Sequence, residues 1–360
     1  MDVSIIIPVY NVAPYIEDCL NSVMRQTYKG SMECLIIDDC GNDDSMAIAE
    51  RMIAEYNGPI QFQILHHEHN RGLSAARNTG TLQATGDYLY YIDSDDEITD
   101  DCIDILMQKA LEDSSIEMVQ GNAYIFPIQG EPYFHVRKIL MLLAMTNNEV
   151  RNCFYRYGQM RVNVWNKLVK REFVLKNNLL CKDGVLYEDQ IWMFYLLKRL
   201  EKASFVSDIT YFYKIRPQSI MTGTDYTISG QYYYVVYIDI LHHLTLGYEQ
   251  EEFSYYAKRV CLSYDRLVHY ISEYKDILMA YKNKNIEYGN WRTSIFFTAS
   301  LFLGQFKYGW AMWTILYLLK HPTRIPNAFY RLISIIVRKI SRFLSFQTED
   351  EYQRAVSFGV

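Results

Sequence analysis

Tyr90-Tyr91-Ile92-Asp93-Ser94-Asp95-Asp96 is the stretch on which the fold turns. It starts inside an apolar run, residues 88–92, that reads as a buried strand, and ends in three carboxylates within four residues. Carboxylates crowded where a strand leaves the core repel one another, and burial penalises each charged form. A divalent cation relieves both costs. Oxygen ligands on a strand end suit a hard ion, Mg²⁺ or Mn²⁺, which keeps positions open for substrate phosphates. The competing reading is a solvated acidic turn that caps a helix starting near Thr99.

Working outward, residues 3–11 form a β-branched run stopped by Pro8 and read as a buried parallel strand. A helix is predicted over 14–26, with Ile16, Cys19, Leu20 and Val23 on one face. Strands follow at 33–37 and 61–65, and helices at 43–55 and 73–84. This β-α alternation predicts an α/β fold with a mostly parallel sheet flanked by helices on both faces. Ligands of such sheets sit beyond the carboxyl ends of the strands. Tyr10 and Asn11, Asp38 and Asp39, and residues 93–96 all lie at such ends. No GxGxxG follows the first strand and no GxxxxGK[ST] occurs, which disfavours a dinucleotide-binding dehydrogenase and a P-loop NTPase.

A chain of 360 residues, half of them hydrophobic, is long enough for two domains. The net charge of −6 argues against general nucleic-acid binding. The 32 tyrosines suit wet clefts, sugar surfaces and membrane interfaces. Seven cysteines without a CxxC pair fit a reducing compartment. No basic n-region or cleavage site is seen around residues 4–9, so the expectation is a cytoplasmic chain.

Residues 4–11 (SIIIPVYN), 36–45 (IIDDCGNDDS), 70–80 (NRGLSAARNTG) and 91–98 (YIDSDDEI), followed by 165–168 (WNKL), 186–192 (LYEDQIW) and 213–220 (YKIRPQSI), form an ordered set. In this set the chain resembles the family 2 glycosyltransferases, which have the GT-A fold. The resemblance implies transfer of a sugar from a nucleotide-diphosphate donor to an acceptor hydroxyl, with inversion. It has one departure: Asp38-Asp39-Cys40-Gly41 stands where the family usually has Asp-Asp-Gly-Ser.

By this resemblance Asp39 accepts the N3–H of uracil, while Pro8, Val9 and Tyr10 shape the base and ribose pocket. A carboxylate is a pure acceptor, apt for a ring N–H; thymidine presents the same N–H, and helix capping is the plainer role. Arg71 and Arg77 carry guanidinium forks suited to diphosphate oxygens, or pair structurally with the acidic loops. Asp95 is the first choice for metal ligation, Asp93 a ribose or metal ligand, and Ser94 a donor contact; Asp96 reads as structural or acceptor-side. Alternation puts Asp93 and Asp95 on the same side of an extended segment. His66, His67 and His69 read as a strand-exit turn, since adjacent strand residues point to opposite faces.

Glu188 and Asp189 precede an apolar helix over 191–200, where acids complement a helix dipole. The resemblance makes one of them the general base that inversion requires, Asp189 preferred. Lys167 is a buried structural cation or an acceptor contact, and Trp165 packs beside the donor sugar. Arg216 and Ser219 lie on a loop placed to close over the diphosphate.

Family motifs stop near residue 222. The expected division is a donor-binding half over 1–110, an acceptor and base half over 111–222, and a helical region over 223–360. Residues 328–346 separate an apolar face from Arg331, Arg338 and Arg342, the pattern of an amphipathic helix on an anionic membrane surface. The expectation is peripheral attachment at the inner face of the cell membrane, with a saccharide or lipid-linked saccharide acceptor in cell-surface polysaccharide or lipopolysaccharide synthesis. The competing functions are a nucleotidyltransferase, which usually carries a Gly-rich basic loop that is missing after Val9, and a non-catalytic, membrane-bound sugar-nucleotide binder.

Overall fold

A computed structural model describes residues 1–134, 145–155 and 160–217, together with Ser219, Val236, Ile240, Glu252, Tyr255 and Tyr256. Residues 1–255 form one compact unit and 256–360 another. The helix expected over 328–346 and nearly all of 223–360 lie outside the described residues.

The first unit opens with β1 (Val3–Val9), α1 (Ile16–Met24), β2 (Met32–Asp38), α2 (Ser45–Glu55), β3 (Gln61–His66), α3 (Leu73–Gln83) and β4 (Tyr88–Tyr91). The alternation expected from the sequence is therefore present, with boundaries shifted by a few residues. Pro14 lies in a turn that Val12 closes with its carbonyl, not inside α1. A two-residue strand, β5 (Glu97–Ile98), stands between the acidic turn and the next helix, α4 (Cys102–Leu111). There follow β6 (Met118–Phe126), β7 (Tyr133–Phe134), β8 (Met145–Thr146), α5 (Asn147–Tyr155), β9 (Lys167–Lys170), α6 (Arg171–Lys176), α7 (Glu188–Arg199) and β10 (Lys202–Lys214).

The main sheet has the order β3-β2-β1-β4-β9-β6-β10-β5. β1 pairs in parallel with both β2 and β4. β9 is antiparallel to β4 on one side and to β6 on the other. Two reversals restore the original direction, so β6, and β10 parallel to it, leave the sheet at the same edge as β1, β2 and β4. The pairing of β4 with β1 ends at Ile6, two residues short of Pro8, which has no N–H to offer.

Two cores flank the sheet. Ile5, Ile7, Cys34, Ile36 and Tyr90 point toward α1, α2 and α4. Ile6, Leu35, Ile37, Leu89 and Tyr91 point toward α3, α5, α6 and α7. The near-continuous apolar strands follow from this double burial. Gly80 marks how closely α3 lies on the sheet: a Cβ there would come within 2.5 Å of Ile6 and 3.0 Å of Ile37.

Candidate active site

The carboxyl ends of β1 and β2 form the first part of the site. Pro8 and Val9 are buried, and Tyr10 stands 48% exposed just beyond them. Asp39, held to β1 by its N–H on the Val9 carbonyl, is 2% exposed. Its Oδ1 accepts from the Arg71 N–H at 2.8 Å and meets His67 Nδ1 at 2.6 Å; its Oδ2 accepts from the Gly72 N–H at 2.8 Å. The carboxylate thus ties the loop before α3 to the end of β2, while the Arg71 side chain faces solvent. His67 also reaches Thr79 Oγ1 at 2.8 Å, and His66 meets Asp38 at 2.9 Å. That role for His67 was not read from the sequence. The signal was available, because β3 pairs with β2 up to Asp38↔His66, which brings the following residues together. Cys40, at the departure from the family pattern, has φ +59°, a left-handed conformation that glycine tolerates without cost.

The second part is the acidic turn after β4. The Asp96 N–H closes it on the Asp93 carbonyl at 3.0 Å, with Ser94 buried inside. Asp93 Oδ1 accepts from Arg77 Nη2 at 2.6 Å, and Asp95 is paired with Arg216 Nε. Burial and then the neighbouring Asp93 raise the Asp95 carboxyl, against the opposing pull of Arg216. Asp96 is 1% exposed and pushed well up, first by burial and then by Asp95 and Asp93. It accepts from Tyr211 Oη at 2.7 Å and from the Lys214 N–H at 2.8 Å. Asp96 therefore faces into the fold and fixes the turn against β10.

Arg77, on α3, joins this turn to α7. Its other terminal nitrogen pairs with Glu188, and the residue is 3% exposed. Burial works against its charge, yet Asp93 and Glu188 together keep it firmly protonated. α7 begins at Glu188, so both acids sit in its first turn, where the helix dipole favours them. The preceding Tyr187 takes a left-handed conformation, φ +64°, that reverses the chain into the helix. Ser219 is half-buried beyond Arg216, whose guanidinium also lies 5.3 Å from the Tyr15 ring centre.

Behind both parts lies a buried polar junction at the start of β9. Asn166, at φ +57°, receives the Tyr90 hydroxyl at 3.1 Å and the Thr210 hydroxyl at 2.7 Å. Its side-chain amide donates to the Asn122 carbonyl at 3.0 Å. One side chain so fastens β4, β6 and β10. Trp165 stacks on Tyr211, ring centres 4.4 Å apart, and on Tyr213 at 5.3 Å. Lys167 is fully buried, with Nζ donating to the carbonyls of Arg161 (3.3 Å) and Asn163. Burial brings its pKa down to about 7, with Asp189 the opposing influence.

The donor set suits a divalent cation. Asp93 and Asp95 leave one turn together, each already facing a guanidinium, and a carboxyl raised by a like neighbour is the condition a cation relieves. Among the described residues no three His, Cys, Asp or Glu side chains form a closed cage. Two carboxylates completed by substrate oxygens are the arrangement Mg²⁺ usually takes.

Known proteins share this fold. The chain is 28% identical over 236 residues to the glycosyltransferase GlyG of Streptococcus pneumoniae serotype 4, covering 63% of this chain and 75% of that one. It spans 31% and 59% of the lengths of two further curated relatives. The crystal structure of S. aureus TarS 1–349 in complex with UDP-GlcNAc superposes with a TM-score of 0.57 at 17% identity, over 86% of this chain and 93% of that one. The mannosyltransferase PcManGT from Pyrobaculum calidifontis, in complex with GDP-Man and Mn²⁺, gives 0.52 at 16% identity, over 88% and 84%. These two likenesses bear on the fold, a GT-A type α/β sheet flanked by helices. Residues 4–174 match the family described as glycosyl transferase family 2, which bears out the resemblance read from the motifs.

Proposed function

We propose that this glycosyltransferase moves a sugar from a nucleoside diphosphate, uridine or thymidine, to an acceptor hydroxyl, inverting the anomeric carbon and using Mn²⁺ or Mg²⁺. The carrying observation is the Arg77 bridge, which ties the acidic turn at Asp93 to the first turn of α7 at Glu188. The UDP-GlcNAc bound by TarS and the GDP-Man and Mn²⁺ bound by PcManGT support the donor class and the metal.

Asp95 and Asp93 would hold the cation, which supplies Lewis-acid neutralisation of the departing diphosphate. Pro8, Val9, Tyr10, Asp39 and Arg71 line the nucleoside end, and Ser94 lies in the turn between the two metal carboxylates. Arg77 keeps Asp93 and Glu188 oriented from within. Arg216 exchanges its Asp95 contact for diphosphate oxygens, with Ser219 beside it. Asp189 takes the proton from the acceptor hydroxyl, whose oxygen attacks the anomeric carbon opposite the leaving group. Displacement in line needs no covalent sugar–enzyme intermediate, and Glu188 is already committed to Arg77.

A thermal-shift panel of nucleotide sugars with and without Mn²⁺ tests the donor assignment, because the right donor raises apparent stability by mass action. Asp189→Asn is expected to keep donor binding and lose transfer; unchanged turnover rejects the base. The acceptor is proposed to be a saccharide or lipid-linked saccharide of the cell surface, met at an anionic membrane face by the basic helix over 328–346. Among the described residues no helix is long and apolar enough to cross a membrane. Flotation with anionic liposomes, unchanged on truncation near Arg324, would remove that helix from the proposal.

A further inference from the structure

Two guanidiniums meet the acidic turn, and they are held differently. Arg77 stands on α3 between Asp93 and Glu188, with its side chain 4% exposed. Moving it would strand two carboxylates at once. Arg216 lies two residues past the end of β10, and its side chain is 22% exposed. The Ile215 N–H still reaches the Phe126 carbonyl at 2.9 Å, so the backbone is tied to β6 up to the residue before it. Arg216 Nε rests on Asp95 Oδ2, and its guanidinium carbon lies 5.3 Å from the Tyr15 ring centre. A long side chain at this place swings by rotamer change alone, without breaking the sheet.

The charges of the corner nearly cancel. Asp93, Asp95 and Glu188 face Arg77 and Arg216, three negative groups against two positive. Both carboxylates of the turn reach solvent, Asp93 at 24% and Asp95 at 20% side-chain exposure, so an ion can approach them. A divalent cation arriving alone would turn the corner positive, and it meets on Asp95 a cation that repels it. The same cation arriving with a diphosphate brings as much negative charge as positive. The displaced guanidinium then has phosphate oxygens to receive it, for which its planar fork is suited. Without Arg216 the corner would carry two net negative charges and a bare Asp95, the setting in which a free cation binds.

We propose that Arg216 is an internal stand-in for the metal: it covers Asp95 in the free protein, yields when cation and diphosphate arrive together, and passes to the diphosphate. Metal and nucleotide then bind as a coupled pair, each strengthening the other by the same factor. This rests on the reading of Asp93 and Asp95 as metal ligands given above.

The test uses the full chain. Mn²⁺ binding is followed by electron paramagnetic resonance of the free ion, with and without UDP. Arg216→Gln keeps a hydrogen-bonding side chain and removes the charge; Arg216→Lys keeps the charge. Without UDP, the dissociation constant for Mn²⁺ is expected to fall about tenfold in Arg216→Gln, and the strengthening of Mn²⁺ binding by UDP to shrink by a similar factor. Arg216→Lys is expected to stay within about twofold of the wild type on both counts, since it restores the repelling charge. Mn²⁺ binding by the free chain that is unchanged or weaker in Arg216→Gln, or strengthened as much in Arg216→Lys, overturns the stand-in role. Asp95→Asn separates the two readings. If it leaves Mn²⁺ binding unaltered, the metal assignment falls and this role with it. If it abolishes Mn²⁺ binding while Arg216→Gln changes nothing, the role of Arg216 falls alone.

Discussion

Arg77 and Glu188, 111 residues apart in the chain, are joined by a buried ion pair, and the same guanidinium holds Asp93 at 2.6 Å. Removing a partner from a buried pair leaves an uncompensated charge, at a cost of about 3–5 kcal/mol. Arg77→Met is therefore expected to lower stability by roughly 3 kcal/mol in denaturant unfolding, near the bottom of that range because Asp93 is partly solvated. Glu188→Gln in the same background should recover part of the loss. A double-mutant cycle without coupling would refute the pair as a unit.

Lys167 makes stability depend on pH in an uncommon direction. Its folded pKa is lowered to about 7 by burial, while in the unfolded chain it returns to the ordinary lysine range. Above pH 7 the folded state sheds this proton and the unfolded state keeps it. Unfolding then takes up a proton, so stability rises with pH, by at most about 1.4 kcal/mol per unit. Lys167→Met should flatten this rise. Equal pH slopes for the two proteins between pH 7 and 9 would contradict the assignment.

Cys40 occupies a left-handed conformation at φ +59°. Glycine reaches that region without the Cβ penalty of about 1–2 kcal/mol, though its looser unfolded chain takes some of the gain back. Cys40→Gly, which moves toward the usual family pattern, is expected to stabilise by about 0.5–1 kcal/mol and raise Tm by a few degrees. A lower Tm would mean that the thiol contributes contacts outweighing the strain.

Asp95→Asn should keep its hydrogen bond with Arg216 in some form but lose the charge a cation needs. The expected result is nucleotide affinity that no longer responds to Mn²⁺, read by UDP titration with and without chelator. A retained response would move the ligand role away from Asp95.

The N-terminal part of the fold was legible because buried parallel strands are written as apolar runs, some with carboxylates at their ends. Residues 32–38 and 88–91 carry that pattern openly, and residues 3–9 carry the apolar run alone. β9 was not legible: four residues with lysine at both ends have neither the length nor the alternation of a strand. Lys167 is buried only because its ammonium finds carbonyls in the preceding loop, a tertiary circumstance. The candidate site residues were legible as separate clusters, but not their connections. A spacing of six separates Arg71 from Arg77, yet one side chain faces solvent and the other is enclosed between two acids. Such a partnership depends on where α7 packs, which local pattern does not encode.

The interleaving of β9 and β5 bears on how the chain acquires its shape during synthesis. β9 must slot between β4 and β6, and β5, made early, pairs among the described residues with β10 alone. The early strands can gather as β1, β2 and β3, but their sheet stays open along β4 until residue 170 has left the ribosome. The acidic turn loses its Tyr211 and Lys214 anchors until still later. Growth from the end of β4 to the end of β9 therefore leaves a nascent chain with an unsealed edge, the stretch of translation in which a chaperone would have most to shield.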